Sequence, residues 1–239
     1  QFEPVFEDLK AKINSRTKGI IINSPSNPTG GVWRDEAVLE VLEIARESDI
    51  WVFSDECYEQ LTYDRPYVST SMLAEKGEKV LTFQSCSKTY AMTGWRIGYV
   101  TGPAEIIEGM MKIHQYTVMS APTAGQYAAI EALKNGESDI AEMHDEYKRR
   151  RHLIVDKLKS IGLPCAEPEG AFYAFPSIER TGLTSVEFAG KLLEEATVKE
   201  VAPAETEPLS VVAALFENTT AIEGTHLFPV VVCRSCQCL

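Results

Sequence analysis

Gly19-Ile20-Ile21-Ile22-Asn23, the loop Ser24-Pro25-Ser26-Asn27-Pro28-Thr29-Gly30-Gly31 and, after an amphipathic interval, Ile50-Trp51-Val52-Phe53 running into Ser54-Asp55-Glu56 set the architecture of this chain. The first run is short and β-branched. It stops where two prolines and two glycines in eight residues forbid regular structure. Between the two runs, Val38, Val41, Leu42 and Ala45 fall at i, i+3, i+4 and i+7, which predicts an amphipathic helix with Asp35 as its cap. Strand, helix, strand is the βαβ unit of a parallel sheet covered on both faces.

Outward from this unit the alternation continues. Residues 79–83 (KVLTF) and 97–101 (IGYVT) read as two more strands. About a dozen residues separate them, marginal for a parallel crossover, so one of the pair is expected to run antiparallel in a mixed sheet. Helices are expected at 103–118, 122–134 and 138–160, the last from the spacing of Ile140, Met143, Tyr147, Ile154, Leu158 and Ile161. The basic run Lys148-Arg149-Arg150-Arg151 inside it reads as a solvated face or as a contact with another subunit. A strand at 171–175 (AFYAF) and a helix at 186–196 follow, and no internal repeat occurs.

Composition narrows the function. With 239 residues, 44% hydrophobic and 24% charged, the chain has the profile of a soluble globular protein of one large or two modest domains. Lys and Arg number 23 against 35 Asp and Glu, a net charge of −12 that repels phosphodiester backbones and anionic lipid. No nucleic-acid or membrane partner is therefore expected, and no apolar run approaches the roughly 20 residues of a spanning helix. Gln1-Phe2-Glu3-Pro4 is neither a Met start nor a basic-then-apolar leader, so a cytoplasmic location is the expectation. Cys57, Cys86 and Cys165 stand singly, as reduced structural cysteines do. Cys233, Cys236 and Cys238 crowd the last seven residues. With His226 the one other candidate nearby and no second pair at ligand spacing, a frayed terminus is expected there and no metal.

The stretch richest in chemistry is Ser85-Cys86-Ser87-Lys88-Thr89-Tyr90-Ala91-Met92-Thr93-Gly94-Trp95-Arg96-Ile97-Gly98-Tyr99. A lysine at the mouth of an apolar strand is costly unless it is paired, neutralised or used covalently. Hydroxyls at Ser85 and Ser87 with the Arg96 guanidinium suit a phosphate dianion, and a nearby cation turns Lys88 towards a nucleophilic amine. Gly94 and Gly98 flank Arg96 where a ligand can require close backbone approach. Asp55 ends a strand, where open α/β sheets place ligands, and a carboxylate there can keep a pyridinium nitrogen protonated. Tyr58 can donate to a phenolate oxygen, and Asn27 lies at the corresponding strand end one βαβ unit earlier. Singly, each has a structural reading: Asp55 as a cap, Tyr58 as a packed aromatic, Asn27 as a turn residue. Their joint occurrence is the signal.

Asn-Pro-Thr-Gly at 27–30, Ser-Asp-Glu-x-Tyr at 54–58 and Ser-x-Ser-Lys followed after five residues by Gly-Trp-Arg-Ile-Gly-Tyr at 85–99 resemble the class I/II aminotransferases, the fold-type I pyridoxal-phosphate enzymes typified by aspartate aminotransferase. The resemblance runs from about residue 2 to 198 and includes Pro168-Glu169-Gly170-Ala171-Phe172-Tyr173. It implies that Lys88 holds pyridoxal 5'-phosphate covalently and that Asp55 pairs with its pyridine nitrogen. It also implies that Tyr58 and Asn27 hold the phenolate oxygen, and that Ser85, Ser87 and Arg96 grip the phosphate. Lys88, once freed by an amino acid, would shuttle a proton between Cα and the cofactor. The implied activity is exchange of an amino group between an amino acid and a 2-oxo acid, by a homodimer. A lyase or synthase of the same fold, or an inactive fragment, is the alternative.

Two departures bear on the expected organisation. The family carries a glycine-rich phosphate-binding helix end, a ring-stacking aromatic and an N-terminal arm upstream of Asn-Pro-Thr-Gly, so this sequence is expected to begin in mid-domain. After Val198 the family's Pro-Gly turn and carboxylate-clamping arginine do not appear, and Arg234 lacks the matching context. Residues 199–239, with a single alternating run at 228–232, are therefore expected to be an altered reading frame or a mis-joined exon. The expected fold is α/β, a three-layer sandwich with a mixed, mostly parallel sheet. Residues 1–147 form a partial large domain, 148–198 part of a small α+β domain and 199–239 a divergent tail.

Overall fold

A computed structural model describes residues 2–198 and the backbone of Val230–Val232. The rest of the tail, and with it the expectation of an altered reading frame, lies outside the described residues. After α1 (Phe6–Lys12), the β-branched run forms β1 (Gly19–Asn23), the amphipathic interval forms α2 (Asp35–Glu47), and the second apolar run forms β2 (Trp51–Asp55). Arg34 rather than Asp35 is the N-cap of α2. Asp35 sits in the first turn, where its charge complements the helix dipole. The short α3 (Thr70–Leu73) leads to β3 (Val80–Ser85), the one-turn helix α4 (Cys86–Thr89), a 3-10 turn over Thr93–Trp95, and β4 (Gly98–Thr101). Helices α5 (Ala104–Thr117), α6 (Thr123–Asn135), α7 (Glu137–Ser160) and α8 (Ser185–Val198) follow, and β5 (Val230–Val232) falls in the alternating run at 228–232.

The sheet order is β1-β2-β3-β4-β5. The first three strands are parallel, with Ile20 level with Val52 and Val52 with Val80; β4 runs antiparallel to β3, and β5 parallel to β4. The mixed sheet expected from the short 84–96 interval is thus present. Successive side chains alternate between faces. Ile22, Val52 and Val80 pack with Val38, Val41, Leu42 and Ala45 of α2 on one face. On the other, Leu81 and Val100 pack with Ile107 of α5 and with partly buried Phe53 and Phe83. This cover stops short of β1, whose Ile21 is 75% exposed at the sheet margin. A further apolar cluster (Cys86, Met92, Ile97, Ala121, Ala129) seats α4 and the 3-10 turn against α6.

Two further expectations change. Residues 171–175 are not a strand. Ala171 has a φ of +55°, Glu169 and Gly170 both donate their N–H to the Gly30 carbonyl, and Ala171 N–H donates to Leu61 O. These groups serve loop contacts, and only isolated bridges form, Thr62 with Gly170 and Cys165 with Pro176. The basic run is not uniformly solvated either. Arg149 and Arg150 pair with Glu146 on the surface, but Arg151 is 8% exposed and bonds Asp64 through two contacts (3.0 and 2.6 Å). The helical period explains it, since residue 151 shares the inward face with Ile154, Val155 and Leu158.

Candidate active site

The three parallel strands end on polar residues, Asn23, Asp55 and Ser85, and so deliver them to one edge of the sheet. This is the edge where α/β sheets bind ligands. The antiparallel β4 begins beside the end of β3, with Gly98 level with Ser85, which returns Arg96 to the same edge. All seven candidate residues lie on the segments at this edge.

Lys88 sits on α4, which Ser85 caps by accepting the Ser87 N–H (3.1 Å). Its amine lies 5.5 Å from the centre of the Phe172 ring. Burial pushes the lysine's pKa down; the Cys57 thiol opposes this, and the Arg96 cation adds to the lowering. The cation effect read from sequence is therefore present but secondary to desolvation. Ser87 Oγ is buried without a hydrogen-bond partner in the protein. Such a hydroxyl is costly unless a ligand satisfies it. Arg96 has a φ of +51° and donates to the Thr93 carbonyl (2.7 Å). Two hydroxyls, one of them unsatisfied, with a guanidinium fit a phosphate-bearing group.

Asp55 accepts from Asn23 Nδ2 (3.1 Å) and from the Cys57 N–H (3.3 Å). Asn23 Oδ1 in turn accepts the Asn27 N–H (3.0 Å), so one side chain ties the Asp55 carboxylate to the Asn-Pro-Thr-Gly loop. Tyr58 is buried, with its hydroxyl 2.5 Å from that of Tyr173. Burial and then that bond push its pKa well up, so it stays a phenol. Asn27 is exposed and is linked to Asp55 through Asn23. Gly98 has a different reason from the one read in sequence: a Cβ there would stand 2.7 Å from Gln84 O, so strand pairing demands it, whereas Gly94 faces open space.

Asn23 and Cys57 receive no site role from sequence, nor do Phe172 and Tyr173, although these two stand in the 168–173 stretch that carries the resemblance. Asn23 carried one signal, a polar residue closing a β-branched strand at a ligand-binding edge. The two aromatics belong to the run misread as a strand.

Residues 1–206 match the family model for aminotransferase class I and II. The chain belongs to the class I and II aminotransferases. The chain is 44% identical over 204 residues to an aspartate aminotransferase of Pyrococcus abyssi, covering 84% of this chain and 52% of that protein. It is 39% identical over 202 residues to aromatic-amino-acid aminotransferase 2 of Thermococcus litoralis, covering 83% and 52%. Among solved structures it resembles the aromatic aminotransferase of Pyrococcus horikoshii, with a TM-score of 0.78, 42% identity, and 82% and 53% of the two chains covered. The chain spans about half the length of these relatives. Its fold is that of the fold-type I enzymes, a three-layer α/β arrangement around a mixed sheet. Among the described residues no group of three or more His, Cys, Asp or Glu could hold a metal, and no helix is long and apolar enough to cross a membrane.

Proposed function

We propose that the chain is the lysine-bearing portion of a pyridoxal-phosphate-dependent aminotransferase acting on an amino acid and a 2-oxo acid. The observation that carries this reading is Lys88: a partly buried amine of lowered pKa, one residue from an unsatisfied buried serine hydroxyl and beside a guanidinium. When bound, pyridoxal phosphate supplies an electron sink that acidifies the Cα–H of an amino acid. The chain's own residues do the rest. Ser85, Ser87 and Arg96 bind the phosphate. Asp55, oriented by Asn23, holds the proton on the pyridine nitrogen. Tyr58 and Asn27 are assigned to the phenolate oxygen, Tyr58 as a donor that its raised pKa keeps protonated. Lys88 Nζ, its proton affinity lowered by burial, takes the Cα proton as a general base and returns it as a general acid.

The assignment of residues 1–147 to the cofactor-binding domain and 148–198 to a small domain draws support from a separate core of Ile154, Val155, Leu158 and Cys165, although α7 runs through the boundary. A homodimer is supported by the exposed apolar residues of α5, α6 and the turn between them, among them Ile113, Tyr116 (91% exposed) and Met119. A cytoplasmic location accords with the acidic composition.

The test is chemical. The chain is incubated with pyridoxal phosphate, reduced with borohydride and mapped by peptide mass. The pyridoxyl group is expected on Lys88; label spread over the surface lysines would overturn the assignment.

A further inference from the structure

Below α4 lies a carboxylate that the proposed reaction does not use. Glu59 stands four residues beyond Asp55, one beyond Tyr58, and is partly buried. The buried Thr89 hydroxyl donates to both of its oxygens (3.3 and 3.4 Å) across 30 residues of sequence. Thr89 is the neighbour of Lys88 and the last residue of α4. The segment after β2 is itself anchored, with Glu59 N–H donating to Glu56 O (3.1 Å). Glu56 is fully buried and accepts Ser54 Oγ–H (2.9 Å) and the Thr70 N–H (2.8 Å). Cys57 after β2, Cys86 and Tyr90 from α4 and its end, and Tyr99 from β4 all feel the Glu59 charge, and Glu59 in turn feels that of Glu56. Its pKa is pushed up to about 7, chiefly by burial, with its own N–H and the Thr89 hydroxyl pulling the other way.

A partly buried carboxylate on such a site edge needs a use that offsets its desolvation. Helix α4 has a single turn, too short to hold its own orientation. It is fixed at its start by the Ser85 cap, and at its end by Thr89. From this geometry we infer that Glu59 is a positioning residue: acting through Thr89, it locks α4 against the segment that carries Tyr58 and so sets where the Lys88 amine points. The inference rests on the reading of Lys88 as the cofactor lysine.

The test measures how fast Lys88 is labelled. Its amine condenses with the aldehyde of pyridoxal phosphate, losing water to give a C=N bond, and borohydride adds hydride to carbon to trap a secondary amine. Peptide mapping gives the rate at Lys88 relative to exposed Lys18 on the same chain, so global changes in reagent or pH cancel. Thr89→Val and Glu59→Met should each slow Lys88 labelling relative to Lys18 by about three- to tenfold, since small misplacements cost at least that much. Thr89→Ser and Glu59→Gln, which keep a donor and an acceptor, should stay near the wild-type ratio. The Thr89→Val, Glu59→Met double variant should be no slower than the slower single, because two residues acting through one bond are not additive. Wild-type ratios in both breaking variants, or a double variant whose slowing is the product of the singles, would overturn the positioning role. If Thr89→Val does not fold, Glu59→Met against Glu59→Gln decides the matter alone. Absence of preferential labelling at Lys88 in the wild type would instead overturn the cofactor-lysine reading, and the positioning role with it.

Discussion

Glu59 also governs a pH dependence that needs no cofactor. Its carboxyl titrates at about 7 in the folded chain against an ordinary 4.5, so the folded state binds this proton more tightly than the unfolded one. The associated stability is fully present below the ordinary value and is lost as pH rises through the folded one. Chemical denaturation between about pH 5 and about pH 7.5 should therefore show the wild type weakening with pH, and Glu59→Gln weakening less. Parallel curves for the two proteins would rule the effect out. Nothing at residues 56–60 signals this in sequence, because the burial comes from α4 and β4, some 30 to 40 positions away. Asp55 and Lys88 were legible for the opposite reason. Each stands at or just past the end of an apolar strand, and in a parallel sheet that position alone assigns a residue to the ligand edge. Asn23 obeys the same rule and was passed over in favour of Asn27, whose loop motif is more conspicuous.

Among the elements, α7 is attached through a buried cation. Arg151 lies over the Tyr63 ring, bonds Asp64 and reaches Glu167 at 3.3 Å. It thereby joins α7 both to the segment after β2 and to the loop leading to Phe172. Its carboxylate partners are about half exposed, so they can be resolvated when the cation is removed. Arg151→Met should accordingly cost about 1–3 kcal/mol, the range for losing charge-assisted hydrogen bonds, rather than the larger penalty of a stranded buried charge. Urea unfolding of the two proteins checks this; an unchanged midpoint would show that α7 is held by its apolar face alone. In sequence the cation looked like its neighbours Arg149 and Arg150, yet helical phase separates them. The βαβ unit was readable because β-branched runs and a Gly/Pro loop act locally. The 171–175 segment was not, because alternating aromatics mimic a strand while its backbone answers to Gly30 and Leu61, far away in the chain.

For the molecule as a whole, the sheet is asymmetric. Among the described residues its β4 side carries a further strand, whereas β1 is the last strand in the order on the other side. That margin is a row of backbone amides and carbonyls beside an exposed isoleucine, a template on which another extended chain can add. At neutral pH the net charge of −12 keeps copies apart. As carboxylates take up protons this repulsion fades, and growth along the β1 margin should set in with a lag that preformed seeds abolish. Light scattering at about pH 5 should show Ile21→Lys lengthening that lag, while its free energy of unfolding changes by no more than about 0.5 kcal/mol, as for most surface changes. An unaltered lag would place the nucleating surface elsewhere, with the exposed apolar residues of α5 and α6 the next to examine. The same isoleucine therefore sets a storage condition for this stretch of chain: it keeps best well above the carboxylate range and at low salt, where its own charge guards the β1 margin.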